Sequence, residues 1–218
     1  MLKRKGIILA GGNGSRLFPL THVVSKQLLP VYDKPLIYYP ISTLMTSGIK
    51  EIAIISTGTH IGSFKKLLGD GKQWGIKFHY IVQPRPEGIA QAFILAECFL
   101  DGCPSALILG DNIFNGRFFL KKLDSSFKET NFSTIFTYET KTPEKFGVIS
   151  FEKDGTIKKI VEKPKIAPSN QIVTGLYFVD KYAPKYAKDI SPSKRGELEI
   201  TDLLNIYIHK NKLKFKPL

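Results

Sequence analysis

At 218 residues, 43% of them hydrophobic, the chain is long enough to bury one sizeable core and fits a single domain. Its 32 Lys and Arg against 19 Asp and Glu give a net charge of +13, which suits polyanionic ligands. The excess is spread along the chain with no basic arm or tail, so specific nucleic-acid binding is not expected and only nonspecific attraction to RNA stays open.

The first element is a short apolar run, Gly6 to Ala10, with the length and β-branched content of a buried strand. The basic residues before it do not make a secretory leader, because the apolar run is too short for one, and a cytoplasmic protein is expected. The run ends in Gly11-Gly12-Asn13-Gly14, followed by Ser15, Arg16 and, further on, Lys26. Glycines let the backbone approach a ligand and turn its N–H groups toward it, and the two cations add fixed positive charge beside them. For the glycines alone a flexible turn between strand and helix is an equal reading. Arg16 and Lys26 favour a phosphate site. It is not a P-loop, since Leu17 stands where the lysine of that motif belongs. Nor is it the dinucleotide fingerprint, which needs a small residue where Leu17 sits.

Helices are expected at about Leu36 to Ser47, Ile61 to Leu68 and Gly88 to Leu100, alternating with strands at Glu51 to Ser56, Ile76 to Val82 and Ala106 to Leu109. The third helix would carry Cys98 on its apolar side, in the core. Cys98 and Cys103 read as reduced thiols, and the four histidines have no metal-ligand spacing. Asp111 follows the strand that ends at Leu109, where open α/β sheets gather their ligands. It is either a magnesium ligand or the start of an Asx turn, and phosphoryl chemistry favours the metal. After Gly116 the strand-like runs Phe132 to Glu139, Val148 to Phe151, Ile157 to Glu162 and Ile172 to Val179 come with shorter connections. A helix follows at Ile200 to His209, and Lys212, Lys214 and Lys216 alternate with Leu213 and Phe215 as in a half-buried strand. The pattern predicts an α/β protein with a mostly parallel, doubly wound sheet extended by mixed or antiparallel strands.

Taken together, Leu9-Ala10-Gly11-Gly12-Asn13-Gly14-Ser15-Arg16-Leu17, Ser25-Lys26-Gln27-Leu28-Leu29-Pro30, Gly88-Ile89-Ala90-Gln91-Ala92, Gly110-Asp111-Asn112, Glu162-Lys163-Pro164 and Thr174-Gly175-Leu176-Tyr177 resemble the signature of sugar-phosphate nucleotidylyltransferases, in their thymidylyl-transferring branch. The resemblance covers nearly the whole chain and implies a Rossmann-like nucleotidyltransferase fold. Residues 1–115 would form a nucleotide-binding half and residues 116–218 a sugar-binding half. It implies dTTP and glucose 1-phosphate as substrates and Mg²⁺ as cofactor, with Asp111 as metal ligand and Arg16 and Lys26 as catalytic cations. Gly11, Gly12, Gly14, Ser15 and Gln27 would hold the nucleotide, and Gln83 and Gly88 would read the base. Asn112, Gly147, Glu162, Lys163, Val173 and Arg195 would form the sugar-phosphate site. On residue chemistry alone, Gln83 is equally a polar strand end, and Glu162 with Lys163 an exposed ion pair. Glu197, Glu199 and Asp202 read as first-turn charges of the last helix and are left out of the site.

The chain departs from the pattern at Ser15, usually Thr, and at Phe146, often Tyr. The family also continues to a segment bearing a second metal aspartate and to helices that support oligomers, which this sequence does not include. A nucleotide-binding remnant with little turnover and a related uridylyltransferase are therefore the alternatives, and a homo-oligomer stays open.

Overall fold

The computed structural model describes residues 3–12, 14–116 and 118–218. Met1, Leu2, Asn13 of the glycine segment and Arg117 lie outside them. In the first half the strands are β1 (Lys5–Leu9), β2 (Pro30–Val31), β3 (Lys34–Pro35), β4 (Glu51–Thr57), β5 (Lys77–Gln83) and β6 (Ser105–Leu109). The second half adds β7 (Ser133–Glu139), β8 (Gly147–Phe151), β9 (Ile157–Glu162), β10 (Gln171–Val179) and β11 (Leu213–Pro217). The helices are α1 (Tyr38–Thr46), α2 (Ile61–Leu68), α3 (Gln91–Leu95), α4 (Glu97–Leu100), α5 (Phe119–Lys128), α6 (Ala183–Lys188) and α7 (Ile200–His209).

Nine strands form one sheet whose main path runs β11-β7-β10-β6-β1-β4-β5, with β8 pairing to both β10 and β9. β5, β4, β1 and β6 are mutually parallel, as the alternating helix-and-strand pattern predicts. β10 breaks the direction by lying antiparallel between β6 and β7, and β8 and β9 extend the mixed part. β11 pairs parallel to β7, which accounts for the lysine alternation near the C-terminus.

Period-2 alternation sends successive residues of the central strands to opposite faces. Ile7 joins a core cluster with Phe93 of α3, Ala183 of α6 and Leu203 and Tyr207 of α7. Ile8 joins the other cluster, with Leu44 of α1, Phe64 of α2 and Leu123 of α5. Helices thus cover both faces, which is the doubly wound arrangement. It leaves the carboxyl ends of the parallel strands as the open edge.

Two local expectations are corrected. The helix expected over Gly88 to Leu100 begins only at Gln91 and is interrupted at Ala96, which separates α3 from α4. As a result Cys98 is exposed rather than in the core: the break turns α4 so that Leu100 is its buried residue. Among the described residues no helix is long and apolar enough to cross a membrane.

Candidate active site

β1 and β6 run side by side with Leu9 opposite Leu109, so the segments leaving their carboxyl ends start together. From β1 comes the glycine segment, where Gly12 (φ 100°) and Gly14 (φ 56°) occupy the left-handed region that glycine enters at no steric cost. From β6 come Gly110, Asp111 and Asn112, and the Gly110 N–H donates to the Leu9 carbonyl at 2.9 Å. A short 3-10 turn, Lys26–Leu28, brings Lys26 across to this edge, with Nζ 2.8 Å from Asp111 Oδ2. Beneath it Gln27 is buried and accepts a hydrogen bond on Oε1 from the Ser25 hydroxyl at 2.6 Å. Gly110 leaves room for it, since a Cβ there would lie 3.0 Å from Gln27 Cγ.

Gly11, Gly12, Gly14, Ser15, Arg16, Lys26, Gln27 and Asp111 line one cavity of about 290 Å³. The structure therefore brings together the residues expected to hold a triphosphate. The Lys26–Asp111 pair is about one-third exposed on both sides, and such pairs contribute about 0 to 1 kcal/mol. An entering phosphate or cation can displace it at small cost. Among the described residues no group of three or more His, Cys, Asp or Glu side chains is placed to hold a metal, so a cation here would meet one protein carboxylate, Asp111.

Asn112 faces the other way. Its Nδ2 donates to Asp111 Oδ1 at 3.1 Å, and its Oδ1 accepts the Gly175 N–H at 3.3 Å. Gly175 lies in β10 within the register shift between Val173 and Tyr177, and a Cβ there would sit 2.6 Å from Asn112 Oδ1 and 2.7 Å from Leu109. Beyond it opens a second cavity of about 510 Å³, whose lining includes Asn112, Gly147, Glu162, Lys163, Val173 and Thr201. Gly147 keeps it open, because a Cβ there would lie 2.8 Å from Thr201 Cγ2. Asp111 on the wall of the first cavity and Asn112 on the wall of the second are consecutive residues.

Glu162 closes β9 at the cavity wall. Burial pushes its carboxyl above the usual carboxylate range, Glu199 adds to the shift, and Lys163 and Arg195 oppose it. Arg195 does not line either cavity. Its guanidinium sits between three carboxylates, 2.8 Å from Glu199, 3.1 Å from Glu197 and 3.4 Å from Glu162. Glu199, read from sequence as a helix-start charge, is buried at the N-cap of α7 and holds Arg195.

Gln83 and Gly88 also stand outside both cavity walls. Gln83 ends β5, is buried, and reaches under the glycine segment, where a Cβ on Gly11 would lie 2.0 Å from its Oε1. Among the described residues that oxygen has no hydrogen-bond donor, while Nε2 donates to Gln91 Oε1 at 2.7 Å. Gly88 (φ 101°) is where two backbones cross, since a Cβ there would fall 2.3 Å from the Leu198 carbonyl oxygen. Gly110, Gly175, Gln91 and Thr201 were given no role from sequence. A glycine inside a strand-like run signals close approach, and Gly175 carried that signal.

Fold and site together define an α/β enzyme scaffold with a glycine-lined, cation-bearing cavity beside a second, larger one. A model of the Nucleotidyl transferase family matches residues 5–217. Glucose-1-phosphate thymidylyltransferase of Xanthomonas campestris pv. campestris (strain B100) is 51% identical over 218 residues, 100% of this chain and 74% of that protein. The enzyme of the same name from Neisseria meningitidis serogroup A is 51% identical over 209 residues, 96% of this chain and 73% of that protein. Among solved structures, a Bacillus anthracis protein given the name glucose-1-phosphate thymidylyltransferase, in complex with sucrose, superposes with a TM-score of 0.88 at 40% identity, covering 99% of this chain and 87% of that one. A UDP-glucose pyrophosphorylase complexed with UDP-glucose gives 0.85 at 28% identity, covering 99% and 90%. The chain belongs to the nucleotidyl transferase family, and its relatives at 51% identity carry the glucose-1-phosphate thymidylyltransferase name.

Proposed function

We propose that the chain transfers a thymidylyl group from dTTP to glucose 1-phosphate, giving dTDP-glucose and pyrophosphate, within one domain whose nucleotide half is residues 1–115 and whose sugar half is residues 116–218. The observation that carries this reading is the adjacency of the two cavity walls, with Asp111 on one and the next residue, Asn112, on the other. A triphosphate against Gly11, Gly12, Gly14 and Ser15 would present its α-phosphorus at that junction, and a sugar phosphate in the larger cavity would approach it from the other side. The nucleophile needs no protein base: a phosphomonoester has its second pKa near 6, so its oxygen is already anionic at neutral pH. What the protein supplies is alignment and positive charge. Lys26 and Arg16 would offset the repulsion between the two anions and the charge that gathers on the departing pyrophosphate.

Magnesium fits this site as a one-carboxylate ion. Asp111 offers a hard oxygen at the cavity wall, and Mg²⁺ is commonly held by one or two carboxylates with substrate phosphates and water completing its shell. When bound it would neutralise phosphate charge beside Lys26. Gln27 would support the nucleotide from below. Gln83 Oε1, without a partner among the described residues, supports a pyrimidine with an N–H at its pairing edge, a description that thymine and uracil share. Thymine is favoured because relatives at 51% identity carry the thymidylyl name, against 28% for the UDP-glucose enzyme. Asn112, Glu162 and Lys163 would bind the sugar phosphate, with Gly147 and Val173 shaping the wall and Arg195 steadying Glu162.

The test is pyrophosphate release from dTTP, glucose 1-phosphate and Mg²⁺, with UTP in a parallel arm and Asp111→Ala as control. Release with dTTP that Asp111→Ala abolishes is the expected result. Tight dTTP binding without release would leave the chain a nucleotide binder and sink the transferase reading.

A further inference from the structure

Gln83, Gln91 and Glu87 form a hydrogen-bonded chain that runs from the surface to the underside of the glycine segment. Gln91 Nε2 donates to Glu87 Oε2 at 2.7 Å, and Gln83 Nε2 donates to Gln91 Oε1, also at 2.7 Å. The Glu87 backbone N–H donates to the same Gln91 Oε1 at 3.3 Å. Both glutamines are buried, Gln83 at 2% and Gln91 at 7% relative exposure, and among the described residues Gln83 Oε1 is left without a donor.

The order of donors along this chain is dictated from its outer end. An ionised carboxylate only accepts, so Gln91 must turn its NH₂ toward Glu87. A backbone N–H only donates, and it meets the Gln91 oxygen, which fixes the same orientation a second time. Gln91 then offers Gln83 an acceptor. Gln83 must answer with its own NH₂ and point its oxygen away, toward Gly11. An amide on its own could present either end at equal cost. Here a buried acceptor awaits a donor, and leaving it unmade costs more than a solvated group would.

We propose that Gln91, anchored by Glu87, is a positioning residue that sets base selectivity by locking Gln83 with its oxygen toward the nucleotide. This rests on the nucleotide reading above. The locked oxygen accepts from a base with a ring N–H at its pairing edge, as in thymine, and opposes cytosine, whose corresponding ring nitrogen is itself an acceptor. A polar pair elsewhere in the fold would stabilise without selecting between bases.

The experiment measures dTTP and dCTP binding by titration calorimetry, and kcat and KM for each, in four proteins. These are the full chain, Gln91→Met, Glu87→Lys and the exchange variant Glu87→Gln with Gln91→Glu. Gln91→Met frees the Gln83 amide, and the dTTP over dCTP preference is expected to fall about tenfold, with KM rather than kcat carrying the change. Glu87→Lys, a change at an exposed position, removes the side-chain acceptor but leaves the backbone N–H that holds the Gln91 oxygen, so the preference should fall less than in Gln91→Met. The exchange variant puts the carboxylate at position 91, where it still accepts from Gln83, and should keep the preference. A full chain that prefers dTTP while Gln91→Met and Glu87→Lys retain that preference would overturn the positioning role and leave the transferase reading standing. A full chain with no preference for dTTP over dCTP would overturn the thymine assignment and the positioning role together, whereas the transferase reading falls only if pyrophosphate release fails. Loss of preference in the exchange variant, with its melting temperature unchanged, would overturn the orientation argument.

Discussion

On the proposed reading, Glu162 couples burial to substrate chemistry. Burial is the largest cause of its raised pKa, and it disfavours the charged form. On the acid side the carboxylate therefore takes up a proton at a higher pH than an ordinary glutamate does. A protonated carboxyl is a poorer acceptor for sugar hydroxyls, so KM for glucose 1-phosphate should rise as pH falls, beginning above the ordinary carboxylate range. Titration of the sugar phosphate, near pH 6, adds its own limb. Glu162→Gln should remove the protein's part of the acid rise and leave the phosphate's. An unchanged acid limb in that variant would show that Glu162 does not face the sugar. Stability follows the same sign. A raised carboxyl pKa is a cost present at neutral pH, relieved as pH falls through the folded-state value and gone below the unfolded value. The urea midpoint of Glu162→Gln should differ most from the parent at neutral pH and converge with it in acid.

At the scale of elements, the connection from β5 to α3 is tied to the segment entering α7 by two backbone hydrogen bonds, Leu198 N–H to Glu87 at 2.7 Å and Ala90 N–H to Leu198 at 3.2 Å. Gly88 sits at that crossing with φ 101° and no space for a Cβ. Gly88→Ala should cost about 2 kcal/mol or more, from left-handed strain plus backbone overlap. Because Thr201 of α7 lines the larger cavity, the proposed sugar site, KM for glucose 1-phosphate should rise too. A loss under about 0.5 kcal/mol by urea denaturation would show that the crossing yields easily. The sequence was legible where one rule dominated. Buried runs such as Ile52 to Ile55 gave the parallel strands, and the glycine, Lys26 and Asp111 positions fall on the wall of one cavity. It was opaque where tertiary packing decided. α5 was missed because among its ten residues only Phe119, Leu123 and Ser126 are buried, a narrow stripe in a polar segment. The break at Ala96 has no glycine or proline to announce it, which misplaced Cys98. The Gln83–Gln91 contact joins residues whose polar ends meet only once β5 and α3 are folded together.

Across the whole molecule, the +13 charge acts on every phosphorylated ligand before any contact forms. Long-range attraction of this kind raises association rates and fades as salt shortens the screening distance, from about 10 Å at 0.1 M to about 3 Å at 1 M. Stopped-flow association of dTTP should therefore slow about tenfold between roughly 0.05 and 0.5 M NaCl, while dissociation changes less. Arg16→Ala separates the field from the site. It takes the formal charge only from +13 to +12, so the salt slope should persist, yet it removes a cavity-lining cation, so dissociation should quicken. If the slope collapses in Arg16→Ala, the attraction is local to the glycine segment and the global charge serves some other purpose. Attraction to RNA would draw on the same diffuse field. It should disappear over the same salt range without responding to Arg16, whereas dTTP binding should persist at high salt and weaken in Arg16→Ala.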